Sequence, residues 1–392
     1  MMYNFDQLPY RVPFNSSKWS RNTRPYQPGD MLPLWVADSD FTSPEPVKEA
    51  LRAYVEHGVF GYAGVPTELR ANIKDWLERK YHWTIDESWL SFPGGVVAGI
   101  YAAVRSLTEP GDSIIIQNPV YPPFAAAVKN TGRNLVYNQL IFDGTRYVLD
   151  FDHLEGLFAS EENKPRMMIF CSPHNASGRV WEQDELDRLA ALLVKHNCLF
   201  VSDEIHYDLT WDGKEHITAG RLGDELCQLL IMLSSASKSF NVAGLHASYA
   251  VVPNEDLRKK FQAAFTGATQ SSYMGQLALN ACYSQGDEYL EQVKAYITKN
   301  LDYFIPAINA IGPIKAMRPE GTYLVWVDCR ELGKTQEELI RWFMEDLKIW
   351  VNDGITFGPG GEGFVRFNMA TPIAMLQEAV ERITAGIAAL KA

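Results

Sequence analysis

From Ser113 to Val252 the chain repeats one pattern: a short apolar run, a break, then a longer stretch with helical spacing. The runs are Ser113–Gln117, Asn134–Leu140, Arg166–Cys171, Cys198–Ser202, Leu229–Leu233 and Ala247–Val252. Each has the length and bulk of a buried strand. Helices fit between several of them, most clearly over Val96–Leu107 and Gln183–His196. Buried strands alternating with helices predict an α/β fold: a mainly parallel sheet sandwiched by helices.

The pattern changes after Gly286. A long helix to about Ile308, a strand over Gly321–Cys329, a helix near Gln336–Leu347, a strand over Phe364–Met369 and a closing helix predict a smaller α+β domain. Before the alternation, residues 1–45 are irregular and hold several prolines and aromatics, including Trp19 and Trp35. Exposed tryptophans are costly, so this arm is expected to pack with the smaller domain. The expected division is 1–45 as the arm, 46–285 as the large domain and 286–392 as the small one. Ser43 predicts a hydroxyl cap for the helix that starts there. A glycine-punctuated loop around Gly61-Tyr62 follows, and Thr67–Tyr81 has helical spacing.

A length of 392 residues accommodates two domains with a well-buried core. The formal net charge of −12 argues against nucleic acid or an anionic membrane as partner. No apolar run approaches a membrane span. Five dispersed cysteines without a C-x-x-C spacing fit a reducing compartment. The start, Met-Met-Tyr-Asn-Phe-Asp, lacks a basic segment followed by an apolar one. A cytoplasmic enzyme without a metal site is expected.

In open parallel sheets, ligands bind beyond the carboxyl ends of the strands. Four polar residues stand at those ends: Tyr121 in Asn118-Pro-Val-Tyr, Asn175 in Ser172-Pro-His-Asn, Asp203 in Ser202-Asp-Glu, and Lys238 after Ser234-Ser-Ala-Ser. Each has a plainer role open to it. Asp203 could cap a helix, Asn175 is a common turn residue, Tyr121 could be packing, and Gly94-Gly95 could be an ordinary turn. Together they meet the needs of one cofactor, pyridoxal 5′-phosphate (PLP). It requires a lysine for a Schiff base, an acid beside the pyridine nitrogen, a donor to the ring hydroxyl, an aromatic face and a phosphate cup. Lys238, Asp203, Asn175 and Tyr121 fill the first four roles in turn. Gly94, Gly95 and Val96, where a helix starts, form the cup with Ser235 and Ser237, because helix N-termini favour phosphate.

On these residues the chain resembles the fold-type I PLP enzymes of the aminotransferase superfamily, and more narrowly the MalY/PatB family of cystathionine β-lyases, or C–S lyases. The likeness runs nearly end to end. Its most specific pieces are Leu34-Trp-Val-Ala-Asp-Ser-Asp-Phe, Val120-Tyr-Pro-Pro-Phe, Ser172-Pro-His-Asn, Ser202-Asp-Glu-Ile-His, Ser237-Lys-Ser-Phe-Asn-Val-Ala-Gly-Leu and Gly321-Thr-Tyr-Leu-Val-Trp. The resemblance implies a PLP-dependent β-elimination from L-cystathionine or related S-substituted L-cysteines, giving a thiol such as homocysteine, pyruvate and ammonia. It implies that Lys238, Asp203 and Tyr121 carry the chemistry, that Arg366 clamps the substrate carboxylate, and that Ala37 offers backbone nearby, with Tyr121 and Asn175 also lining the substrate. It further implies a homodimer in which Tyr62 reaches the neighbouring subunit's phosphate. An aminotransferase shares every step up to proton removal and is the first alternative; a PLP-binding regulator without catalysis is the second.

Four positions depart from related patterns. His246 stands where aminotransferases carry a phosphate-binding arginine, and His206, counted here with the cofactor-binding residues, where they carry tyrosine. Both changes lean toward the C–S lyases. Ser39 replaces that branch's usual methionine, and Ala176 replaces the proline that usually follows Asn175 through a cis bond. A cis bond to alanine would cost about 3 kcal/mol.

Overall fold

The computed structural model describes residues 2–160, 164–265 and 269–390. Its large sheet has seven strands in the order Leu90–Ser91, Tyr249–Val251, Leu230–Ser234, Leu199–Asp203, Pro165–Cys171, Ser113–Ile116 and Asn134–Tyr137. The last five run parallel to one another, while Tyr249–Val251 is antiparallel to both its neighbours. The sheet is therefore mainly parallel, as the alternation predicts.

The runs are apolar throughout because successive side chains enter different layers. Ile114, Ile116, Met167, Ile169, Val201, Ile231 and Leu233 pack with Ile100 and Val104 of the helix Val96–Leu107 and with Phe261 of the helix Glu255–Phe265. Ile115, Met168, Phe170, Phe200, Leu230 and Met232 belong to the other layer, with Leu186, Leu189 and Leu193 of the helix Gln183–Lys195. Period-two alternation thus survives within an unbroken apolar run, and both faces are dry.

Several local expectations shift. The helix Glu45–His57 is capped by Pro44 without a side-chain bond, and Ser43 Oγ donates to the Asn241 carbonyl instead. The strand expected to reach Leu140 ends at Tyr137, and a small hairpin of Ile141–Phe142 with Tyr147–Val148 follows. Gln336–Arg341 is α-helical behind a Thr335–Glu338 capping box, then widens into a π turn over Trp342–Asp346. The cis bonds among the described residues are Asn118–Pro119 and Ser172–Pro173; Asn175–Ala176 is not one of them.

A four-stranded antiparallel sheet, ordered Lys315–Ala316, Leu324–Asp328, Phe364–Asn368 and Asn352–Asp353, follows the long helix Asp287–Ile311. The N-terminal arm joins this part: Leu32–Pro33 pairs in parallel with Ile349–Trp350, and Trp35 stacks on Trp350 at 4.3 Å. Asp40, fully buried, fastens the arm to itself. It accepts from Lys18 Nζ at 2.6 Å, Trp19 Nε1 at 2.8 Å and Arg11 Nη1 at 3.1 Å. A buried ion pair survives desolvation only with such extra bonds. Among the described residues, no helix is long and apolar enough to cross a membrane.

Candidate active site

A cavity of about 520 Å³ opens at the carboxyl ends of the parallel strands. Tyr121, Asn175, Asp203 and Lys238 all line it, as do Gly94, Gly95, Val96, Ser235, Ser237, His206, Ala37 and Arg366. Tyr62 does not: it stands fully exposed on its loop, beside exposed Val59 and Phe60. His246, at a positive φ of 53° after a short helical turn, lines the cavity.

Lys238 follows the strand Leu230–Ser234, and its Nζ donates to the Ala37 carbonyl at 2.7 Å. Burial pulls its amine down to about 8, against the nearby Asp38 carboxylate, which favours the charged form. Asp203 ends the strand Leu199–Asp203, and its Oδ1 accepts from the Ile205 amide at 3.1 Å. No cationic side chain pairs with it among the described residues, and burial pushes it up to about 7. A buried carboxylate without a counter-charge calls for a cation opposite it.

The glycine pair contributes shape rather than donors. The Gly94 amide donates to the Thr269 carbonyl at 2.6 Å and the Gly95 amide to Ser248 Oγ at 3.2 Å, so neither is free. Gly95 instead supplies conformation. It is the N-cap of Val96–Leu107 at φ 137°, ψ 155°, a region open essentially to glycine alone. No side chain caps the helix, and its first intrahelical bond from this cap is donated by Gly99, so the amides of Val96, Val97 and Ala98 are the open donors. All three residues line the cavity. Ser235 Oγ already donates to the Ala247 carbonyl at 2.7 Å, which leaves the Ser237 hydroxyl as the freer one.

Across the cavity, Arg366 rises from the strand Phe364–Asn368. Its Nη1 donates to Asn175 Oδ1 at 2.6 Å, and its Nη2 to Asn352 Oδ1 at 2.8 Å and the Trp35 carbonyl at 3.1 Å. Phe357 lies under the guanidinium at 4.8 Å. Burial lowers Arg366 to about 10, so it stays charged at neutral pH. Every one of these acceptors is neutral, which leaves the positive charge uncompensated and ready for an anion. Asn352 and Phe357 carried no signal in the sequence; only pairing of Asn352 with Arg366 across two strands reveals the first.

Asn175 is thus bonded to Arg366 through its oxygen, leaving its amide nitrogen as the donor end. The Tyr121 amide donates to the Asn175 carbonyl at 2.9 Å, which ties the two rim segments together. Burial raises the Tyr121 phenol and holds the buried His206 ring neutral, with its Nδ1 unpartnered. The residues fit the cofactor expected from the sequence. An unpaired buried carboxylate suits a pyridinium nitrogen, an amine suits an aldehyde, and an uncapped helix start suits a phosphate.

Comparison with known proteins agrees. The aminotransferase class I and II family model matches residues 30–383. The chain is 34% identical to cystathionine beta-lyase PatB of Bacillus subtilis (strain 168), over 98% of this chain and 100% of that one. It is 30% identical to protein MalY of Escherichia coli (strain K12), over 100% of both. The crystal structure of cystalysin from Treponema denticola, which contains pyridoxal 5′-phosphate, matches with a TM-score of 0.93 and 33% identity, covering 100% of both chains.

Proposed function

The chain belongs to the class I and II aminotransferase family, and from that premise we propose that it is a PLP-dependent carbon–sulfur β-lyase. Its substrates are L-cystathionine and related S-substituted L-cysteines. With water they yield a thiol, pyruvate and ammonia. One observation carries the reading: a partly buried amine and an unpaired buried carboxylate share a cavity with a guanidinium that has no acidic partner.

When bound, PLP supplies an aldehyde that takes the substrate's amine covalently and a ring that accepts electrons from the breaking Cα–H bond. This chain's residues do the rest. Arg366, aimed by Asn175 and Asn352, grips the α-carboxylate and so fixes which bond at Cα faces Lys238. The neutral Lys238 amine takes the α-proton, and its lowered affinity for protons keeps a useful neutral fraction near pH 8. Asp203 stays ionised when a cationic ring nitrogen lies against it. With the cofactor bound, Tyr121 would lie at the ring face, Asn175 Nδ2 would be the donor to the ring hydroxyl, and the helix start at Val96 with Ser237 would hold the phosphate. The thiolate leaves Cβ and takes up the proton that Lys238 carries.

The same reading divides the chain into a large domain over 46–285 and a small one formed by 1–45 and 286–392. Supporting that division, the cavity draws Ala37, Lys238 and Arg366 from the three segments. It also includes a homodimer, in which the exposed loop bearing Val59, Phe60 and Tyr62 covers the partner's site. The charge of −12 and five free cysteines support a cytoplasmic location.

The test is product analysis with L-cystathionine and no keto acid. Equal amounts of homocysteine and pyruvate are expected over many turnovers. An aminotransferase would stop after one turnover without a keto-acid acceptor and release no thiol.

A further inference from the structure

The stretch that faces Lys238 is held in an unusually complete way. The Asp38 amide donates to the Val36 carbonyl at 2.8 Å, closing a three-residue turn with Ala37 at its apex. An apex carbonyl is turned outward, and here it meets Lys238 Nζ at 2.7 Å. The carbonyls on either side are both taken by one buried side chain. Asn368 Nδ2 donates to Val36 O at 2.7 Å and to Asp38 O at 2.9 Å. Its Oδ1 accepts from the Ala370 amide at 2.8 Å, and its own amide donates to the Leu34 carbonyl at 2.9 Å. Lys18, fully buried, adds a second bond to Asp38 O at 2.8 Å.

Asn368 lies two residues beyond Arg366 on one strand, so both side chains emerge on the same face. One strand thus presents the anion-binding guanidinium and the clamp of the lysine's backbone acceptor. Nothing in the substrate-binding reading requires the second.

We infer that Asn368 is a positioning residue for proton transfer: by holding both carbonyls beside Ala37, it fixes the Ala37 carbonyl as the acceptor on which protonated Lys238 rests. The inference deepens the lyase reading and rests on it. The lysine's neutral amine takes a proton from Cα and becomes an ammonium, while the C–H electron pair stays behind at Cα, where the bound cofactor would stabilise it. The C–S bond then breaks with its pair leaving on sulfur, and the ammonium returns its proton to that sulfur. Between the two transfers the ammonium needs an acceptor that does not keep the proton, and a backbone carbonyl is one.

The test begins with the cofactor-free protein and inorganic buffer, without any sulfur substrate. The rate of PLP capture at Lys238, followed by absorbance against pH, reads how readily its amine is neutral. Loss of a well-placed acceptor disfavours the ammonium, so Asn368→Ala should move the midpoint down by roughly 0.5–1 pH unit. Asn368→Ser, which can still donate to one carbonyl, should move it less and serves if the alanine variant does not fold. In the loaded enzyme kcat should fall with KM nearly unchanged.

Asn300 provides the matched control. It is equally buried and bridges the carbonyls of Met369 and Thr371, each at 2.8 Å, without bonding the Val36–Asp38 turn. Asn300→Ala should lower thermal stability comparably and leave the capture midpoint in place. An unmoved midpoint in both Asn368 variants, or an equal shift in Asn300→Ala, would overturn the inference. Capture at Lys238 without pyruvate formation would count against the lyase reading instead, because the midpoint is measured before any lyase substrate is present.

Discussion

At Asp203 the strand end buries a carboxylate at the floor of the cavity, and no cationic side chain pairs with it among the described residues. Its proton affinity without cofactor rises from 3.8 to about 7. A carboxyl whose folded value lies above its unfolded one takes up a proton on folding. Its favourable contribution is complete below about pH 3.8 and is lost as pH rises through about 7. Asp203→Asn removes that dependence. Cofactor-free Asp203→Asn should therefore unfold at higher temperature than cofactor-free wild type above pH 7, by up to about 4 kcal/mol, with the gap closing toward pH 4. PLP should reverse the order, since only the carboxylate gains a counter-charge. Turnover of the variant should drop about a hundred-fold or more. Melting curves that stay parallel across this range would show that the carboxylate is already compensated.

The elements around the site explain what the sequence disclosed. Asp203, Lys238, Asn175 and Tyr121 were legible because parallel strands are legible, and strand ends define the rim. Arg366 and Ala37 entered only through resemblance, since the strand Phe364–Asn368 and the arm are brought to the rim by packing across some three hundred positions. The two-residue strands Leu32–Pro33 and Ile349–Trp350 are too short to show a period, so their pairing left no trace. At the expected phosphate cup the glycines lend shape, because their own amides are already bonded, while the next turn carries the open donors. Gly95→Ala tests this. A Cβ at Gly95 would meet nothing within 4 Å, so the penalty is conformational alone. At about 1–3 kcal/mol, relieved only by moving the helix start, PLP affinity should fall about five- to a hundred-fold while the far-UV spectrum is kept. Fluorescence titration of the cofactor-free variant measures it, and unchanged affinity would remove the helix start from the cup.

At the scale of the whole molecule, one cavity gathers the ends of the large sheet, the small sheet and the arm, while the loop around Tyr62 projects away with Val59 and Phe60 uncovered. An apolar projection of this kind is stable when a second copy covers it. The wild type is expected to sediment as a dimer. Tyr62→Ala should bind PLP about ten-fold more weakly, through loss of one bond to the phosphate, with each subunit's fold intact. A fully active monomer at assay concentration would contradict that arrangement. All of this chemistry hangs on Lys238, and borohydride examines it directly. The PLP-loaded protein is reduced, digested and analysed by mass spectrometry. The expected result is a pyridoxyl group on Lys238 alone; attachment at any other lysine, or none at all, would contradict the account.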